Sequence, residues 1–111
     1  LQEYLFSYGT LQKEEVQLKL FGRLLNGTSD ILEGYKVVKI EICDEAFLAK
    51  GEDKFQKTVE PTGICGDFIE GTVFEVSEDE LRIVDAYEPE NFHRIKIKLS
   101  SGKNAWLFIV N

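Results

Sequence analysis

Leu5-Phe6-Ser7-Tyr8-Gly9-Thr10-Leu11 is the stretch on which the reading of this chain turns. Residues 4 to 8 alternate Tyr4, Phe6 and Tyr8 against Leu5 and Ser7, the period of a strand with both faces partly buried. Gly9 ends that strand and lets backbone amides approach a ligand closely. From Lys13 the period lengthens, with Val16 and Leu20 four apart and Leu18 and Phe21 three apart, which predicts a short amphipathic helix stopped at Gly22. Consecutive amides after a strand can form an anion-binding nest, and the Thr10 hydroxyl would add a donor. An ordinary strand end fits the same residues, and the second glycine and lysine of a phosphate loop are missing.

Outward from that stretch, Asn26-Gly27-Thr28-Ser29 reads as a loop, and Gly34 opens a strand with Val38, Ile40 and Ile42 facing one way and Lys39 and Glu41 the other. Residues 50–63, with Gly51, mixed charges, Pro61 and Gly63, show no stable period and read as a long mobile loop able to cover a site. Phe68 to Val76 is a long strand whose internal Gly71 signals a bulge, a bend or a close backbone approach. Ser77-Glu78-Asp79-Glu80 is a capping box opening a helix with Leu81, Val84 and Tyr87 on its apolar face, and Pro89 stops it. His93, Ile95, Ile97 and Leu99 then alternate with Arg94, Lys96 and Lys98, Ser101-Gly102 turns the chain, and residues 105–110 are apolar on both faces, as in an interior strand. The expectation is a single domain over residues 1–111 of the α+β class: a small mixed β-barrel, or strongly bent sheet, of five to six strands with two short helices packed outside.

Composition narrows the partners. With 111 residues, 43% hydrophobic and 12% aromatic, the chain can bury one core. Its 20 acidic against 13 basic residues give a formal charge of −7, the wrong sign for nucleic acid or an anionic membrane. No apolar run reaches the roughly 18 residues of a membrane span and no signal-peptide pattern opens the chain, so a soluble, cytoplasmic protein is expected. Cys43 and Cys65 are too few for a disulfide framework or a four-ligand zinc site and read as two buried thiols. His93, the single histidine, lacks the partners of a triad or a catalytic zinc site and reads as structural.

The second candidate for chemistry is Asp85-Ala86-Tyr87-Glu88. A carboxylate at a helix C-terminus meets the negative end of the dipole, and desolvation between Tyr87 and Pro89 also disfavours its charge, so both effects would raise the Glu88 pKa toward that of a general base. An acidic, solvated helix end formed by Asp85, Glu88 and Glu90 fits the same residues. Arg94 could pair with Asp85 or with Glu88 and hold a carboxylate in place.

Phe6-Ser7-Tyr8-Gly9-Thr10-Leu11, Gly34-Tyr35, the Gly66 to Val76 strand, Val84-Asp85-Ala86-Tyr87-Glu88, the His93-Arg94 pair and a final strand ending Trp106-Leu107-Phe108-Ile109-Val110 occur here in one order. Along nearly its whole length the chain thereby resembles the gamma-glutamylcyclotransferase-like (AIG2-like) family. The resemblance implies a mixed barrel fold and an intramolecular aminolysis in which a gamma-glutamyl group cyclises to 5-oxoproline and releases an amine. Glu88 matches the family's catalytic glutamate, Tyr8, Gly9, Thr10 and Leu11 match its substrate-binding turn, and neither metal nor organic cofactor is implied. The implied partner is a small-molecule gamma-glutamyl substrate. Pro89 and Phe92 stand where relatives often have glycine and tyrosine. The alternative is a non-catalytic barrel that binds a small metabolite or a protein through the retained pocket.

Overall fold

β1 (Gln2–Ser7) lies at the centre of a five-stranded sheet, and both of its faces are covered. Leu5 on one side and Phe6 on the other are each 1% exposed, as the mixed apolar pattern of this strand predicts. In the computed structural model, residues 2–51 and 54–110 are described, with the Thr10 side chain outside that description. After β1 come a 3₁₀ turn (Thr10–Gln12), α1 (Glu14–Phe21), β2 (Asn26–Glu33), β3 (Tyr35–Glu41) and α2 (Glu45–Leu48). β4 (Phe55–Pro61), β5 (Phe68–Ser77), α3 (Glu78–Tyr87), β6 (Phe92–Lys98) and β7 (Asn104–Val110) complete the order.

The sheet order is β2-β5-β1-β7-β6, and β3 and β4 form a separate antiparallel ribbon. β1 runs antiparallel to β5, with Phe6 opposite Val73, and parallel to β7, with Leu5 opposite Trp106, so the sheet is mixed. One core joins Leu5, Leu11, Phe74, Leu81, Val84 and Phe108, with Val16 and Leu20 of α1 against it; this is the helix-covered face. The other joins Phe6, Leu32, Val59, Val73, Leu99 and Leu107, and the ribbon covers it through Val59. Among the described residues, seven strands and three α-helices therefore replace the five to six strands and two helices expected from the sequence.

The expected barrel is not what the hydrogen bonds make. Among the described residues the five-stranded sheet is not closed into a ring, because the chain leaves β2 at Gly34 (φ 80°) and β3 pairs only with β4. The strongly bent arrangement of the sequence reading is the nearer description: Thr58 of β4 accepts the Val110 N–H at 3.2 Å and pins the ribbon to β7 without joining the ladders.

Three local readings are corrected. Asn26 to Ser29 is strand, not loop, paired with Glu75 to Thr72 of β5. Gly27 is there for packing, since a Cβ at that position would lie 2.6 Å from the Phe74 ring. The stretch 50–63, expected to be a mobile loop, contains β4, whose Phe55 to Pro61 pair with Glu41 to Tyr35; Glu52 and Asp53 lie outside the described residues. Cys43 and Cys65, expected to be buried, are both exposed.

Gly71 resolves to a close approach among the three options its position left open. A Cβ there would meet the Ser7 carbonyl oxygen at 2.5 Å and the Phe6 ring at 2.7 Å. Its missing side chain therefore lets the end of β1, where the glycine turn begins, settle against β5.

Candidate active site

The C-terminal end of β1 and the C-terminal end of α3 open onto one cavity of about 400 Å³. Leu5 to Gly9, Leu11, Gln12 and Lys13 form the wall that begins in β1 and runs through the turn toward α1. Val84, Glu88 and Phe92 form the α3 side, Phe55, Gln56 and Lys57 enter from β4, and Phe108 from β7. The size is within the range of small-molecule sites, and the wall combines aromatic surface with a few polar groups, as such sites do.

Glu88 owes its place to two sequence signals. The capping box starts α3 at a fixed point: Ser77 Oγ accepts the Glu80 N–H at 3.1 Å, and the Glu80 carboxylate accepts the Ser77 N–H at 2.9 Å. Ten residues on, the helix stops because a proline disfavours helical geometry in the residue before it. Glu88 accordingly takes φ −67° and ψ 154° while its N–H still donates to the Val84 carbonyl at 3.0 Å. Its side chain is half-buried at the cavity, and Pro89 is packed inside. Arg94, which could have paired with either carboxylate, forms a two-pronged bond to Asp85 at 2.8 and 3.1 Å.

On the wall that begins in β1, Tyr8 is half-buried and donates its hydroxyl to the Phe108 carbonyl at 2.7 Å. Burial pushes its phenol well above the usual range; a hydrogen bond with Thr58 offsets part of this and the negative charge of Glu88 adds to it. Tyr8 is thus a neutral hydroxyl at any physiological pH, and it lines the same cavity as Glu88. Gly9 donates its N–H to Ser7 Oγ over 3.4 Å, and its carbonyl accepts from Gln12 N at 3.1 Å, closing the 3₁₀ turn. The leading N–H groups of such a turn have no partner within the turn itself.

That turn is fixed from behind by Gln17. Its amide nitrogen donates to the Leu11 carbonyl and its oxygen accepts from Leu25 N, both at 2.9 Å, in a buried site. Gln17 faces inward while Leu18, which the spacing argument had placed in the apolar set, is 52% exposed.

Of the residues singled out from the sequence, Tyr8, Gly9, Leu11 and Glu88 line the cavity together. The Thr10 hydroxyl lies outside the described residues. His93 is exposed on β6 and does not line the cavity. The sequence reading did not include Ser7, Gln12 and Phe108 in the site, nor Phe55 to Lys57, whose stretch it took for a loop over the pocket. Among the described residues no three His, Cys, Asp or Glu side chains are grouped as a metal would need, and no helix is long and apolar enough to cross a membrane.

The fold that carries this cavity has known counterparts. The family described as gamma-glutamyl cyclotransferase, AIG2-like, matches residues 5–111, and the chain belongs to it. Among solved structures, one named Gamma-glutamyl cyclotransferase is similar with a TM-score of 0.76 and 14% identity, over 100% of this chain and 68% of that one. The crystal structure of an uncharacterized protein from Homo sapiens has a TM-score of 0.75 and 17% identity, over 99% of this chain and 67% of that one. A solution structure from Arabidopsis thaliana has a TM-score of 0.68 and 18% identity, over 99% of this chain and 61% of that one. This chain thus spans 61% to 68% of the length of these three, and at such identities the likeness is one of fold. No curated protein matches the sequence.

Proposed function

We propose that this protein is a cofactor-independent cyclotransferase that converts the gamma-glutamyl group of a gamma-glutamyl amine or amino acid to 5-oxoproline and releases the free amine. The observation that carries this reading is the shared cavity: Glu88 faces the same volume as Tyr8, Gly9 and Leu11, in a chain of this family.

Cyclisation joins the substrate's α-nitrogen to its own γ-carbonyl carbon and breaks the bond from that carbon to the leaving nitrogen. The α-nitrogen begins as an ammonium and ends as a lactam N–H, so two protons leave it, and the departing amine takes up two. Glu88 accepts the first proton, which frees the nucleophile, and returns it to the leaving nitrogen as the C–N bond breaks; the second, lost from the ring nitrogen once its bond to the γ-carbon has formed, follows by the same carboxylate to the released amine. The amides of Gly9, Thr10 and Leu11 hold the substrate carboxylate or the oxyanion that develops on the γ-carbonyl. Tyr8, kept neutral by burial, offers a fixed dipole beside them. Nucleophile and electrophile belong to one molecule, so the cavity's main task is to fold the glutamyl chain into its near-attack shape. Exposed Lys13 and Lys57 at the mouth give the cavity local positive charge in a chain of net −7.

Replacing Glu88 by Gln tests the assignment, because it keeps the shape and removes the exchangeable proton. Release of 5-oxoproline from a panel of gamma-glutamyl amines and amino acids is expected to fall by about 10² to 10⁴. Ligand binding should persist, since the turn holds the ligand. A folded Glu88→Gln protein with full turnover would remove Glu88 from the chemistry. A wild-type protein that binds these compounds without turning any over would be a binding domain instead.

A further inference from the structure

We propose that Asp44 and Lys50, flanking the short helix α2, are positioning residues that fix the backbone on both sides of Glu88 and thereby aim its carboxylate into the cavity. Their contacts bracket that residue. Asp44 accepts the Glu90 N–H on one carboxylate oxygen at 2.9 Å, two residues after Glu88. Lys50 donates its ammonium to the carbonyls of Ala86 and Tyr87 at 3.0 and 3.1 Å, immediately before it. Between the two, the Phe47 ring meets the Tyr87 ring edge-on with centroids 6.0 Å apart.

Glu88 needs such support because it has left the helix. Pro89 holds it extended, its N–H bond to Val84 is the last of the α3 series, and the final carbonyls of any helix lack partners of their own. A lysine at those carbonyls both satisfies them and meets the negative end of the dipole. Asp44 serves two segments at once, since its other oxygen accepts the Ala46 and Phe47 N–H groups at 3.0 and 3.4 Å and caps α2. The Glu90 N–H, aided by the α2 amides against the effect of burial, holds the Asp44 carboxyl below the usual range, so Asp44 is an anion at neutral pH. Neither residue lines the cavity, so both act through the chain that bears Glu88.

The proposal rests on Glu88 being the proton carrier, and two readouts separate its failure from the failure of that reading. Asp44→Asn retains an oxygen to cap α2 but can turn an amide N–H₂ toward the Glu90 N–H; Lys50→Met keeps the stem and loses the ammonium. In both, kcat for cyclisation should fall about tenfold or more with KM little changed, the signature of a misplaced catalytic group, and Lys50→Arg should recover most of it. The second readout needs no activity: hydrogen exchange at the Glu88 N–H should quicken several-fold, and NMR titration of the Glu88 carboxyl should shift. Tyr8 just after β1, Lys13 before α1 and Lys57 from β4 line the cavity with that carboxyl, and Asp85 and Glu90 flank it in the chain, so the curves are compared with wild type under one salt condition. Active variants with wild-type kcat overturn the proposal. If wild type itself turns nothing over, the enzymatic reading falls, and the exchange data decide alone: Glu88 N–H exchange identical to wild type overturns the clamp, and faster exchange in Lys50→Met that Lys50→Arg restores supports it.

Discussion

Tyr8 and Glu88, which line one cavity, could be singled out in the sequence because each stands in a local pattern: a strand running into glycine, and a carboxylate just before a proline. Gln17, Asp44 and Lys50 could not be, because what they do depends on partners brought by the fold; Lys50 reaches carbonyls 36 and 37 residues away. The Tyr8 hydroxyl shows how such a partner sets a property. It donates to Phe108 O and its pKa is raised chiefly by burial. A phenol with a folded pKa above its unfolded value of about 10 favours folding in its neutral form. That stability is fully present below the unfolded value and is lost as pH rises from about 10 through the folded value. Tyr8→Phe should therefore cost about 0.5 to 1.5 kcal/mol at neutral pH, the usual net worth of one hydrogen bond. Its alkaline limb in a urea series against pH should be shallower than wild type's. An identical limb in both would mean that the phenol does not govern it.

At the scale of elements, the helices read better than the ribbon. α3 declared itself through its capping box, and Arg23 adds a fork onto Glu80 at 2.7 and 2.8 Å from the end of α1. The Arg23 guanidinium, then the Ser77 N–H, hold the Glu80 carboxyl below its usual range against partial burial. This lowered pKa makes the contact present above pH about 4.5 and lost as pH falls through the folded value. Ser77→Ala should cost about 1 kcal/mol, measured as a lower urea midpoint at unchanged slope, with the cavity untouched. β4 was illegible because its buried residues, Thr58 and Val59, are adjacent rather than alternate, with exposed Phe55, Lys57 and Glu60 around them. Period-2 reasoning requires one face buried and the other wet; a strand whose neighbouring residues Thr58 and Val59 are both buried, the first bonded to β7 and the second in the core, does not meet that condition. β2 was missed for a related reason, since its Asn26 to Ser29 half is exposed and its glycine serves the Phe74 ring.

For the whole molecule, the consequence is that the two cores on either side of the central sheet have different duties. The helix-side core contains Val84, Leu5, Leu11 and Phe108, which are also cavity wall. The ribbon-side core touches the cavity through Phe6, while Leu32, on the edge strand β2, is buried there and lines no part of it. Truncating a buried aliphatic side chain loses its transfer free energy and leaves a void that the surroundings fill only in part. Leu32→Ala should thus cost about 2 to 5 kcal/mol of stability, and Val84→Ala somewhat less because fewer carbons are removed. Their effects on the site should be opposite in rank. Val84→Ala enlarges the cavity beside the last turn of α3, four residues before Glu88, so KM for the best gamma-glutamyl substrate should rise. Leu32→Ala, assayed well below its melting temperature, should keep wild-type KM and kcat despite its greater loss of stability. Urea melts with a single transition in both variants are the control that the sheet still folds as one cooperative unit. Equal changes in KM for the two would mean that the cavity senses the stability of the whole sheet and not the wall it shares with one core.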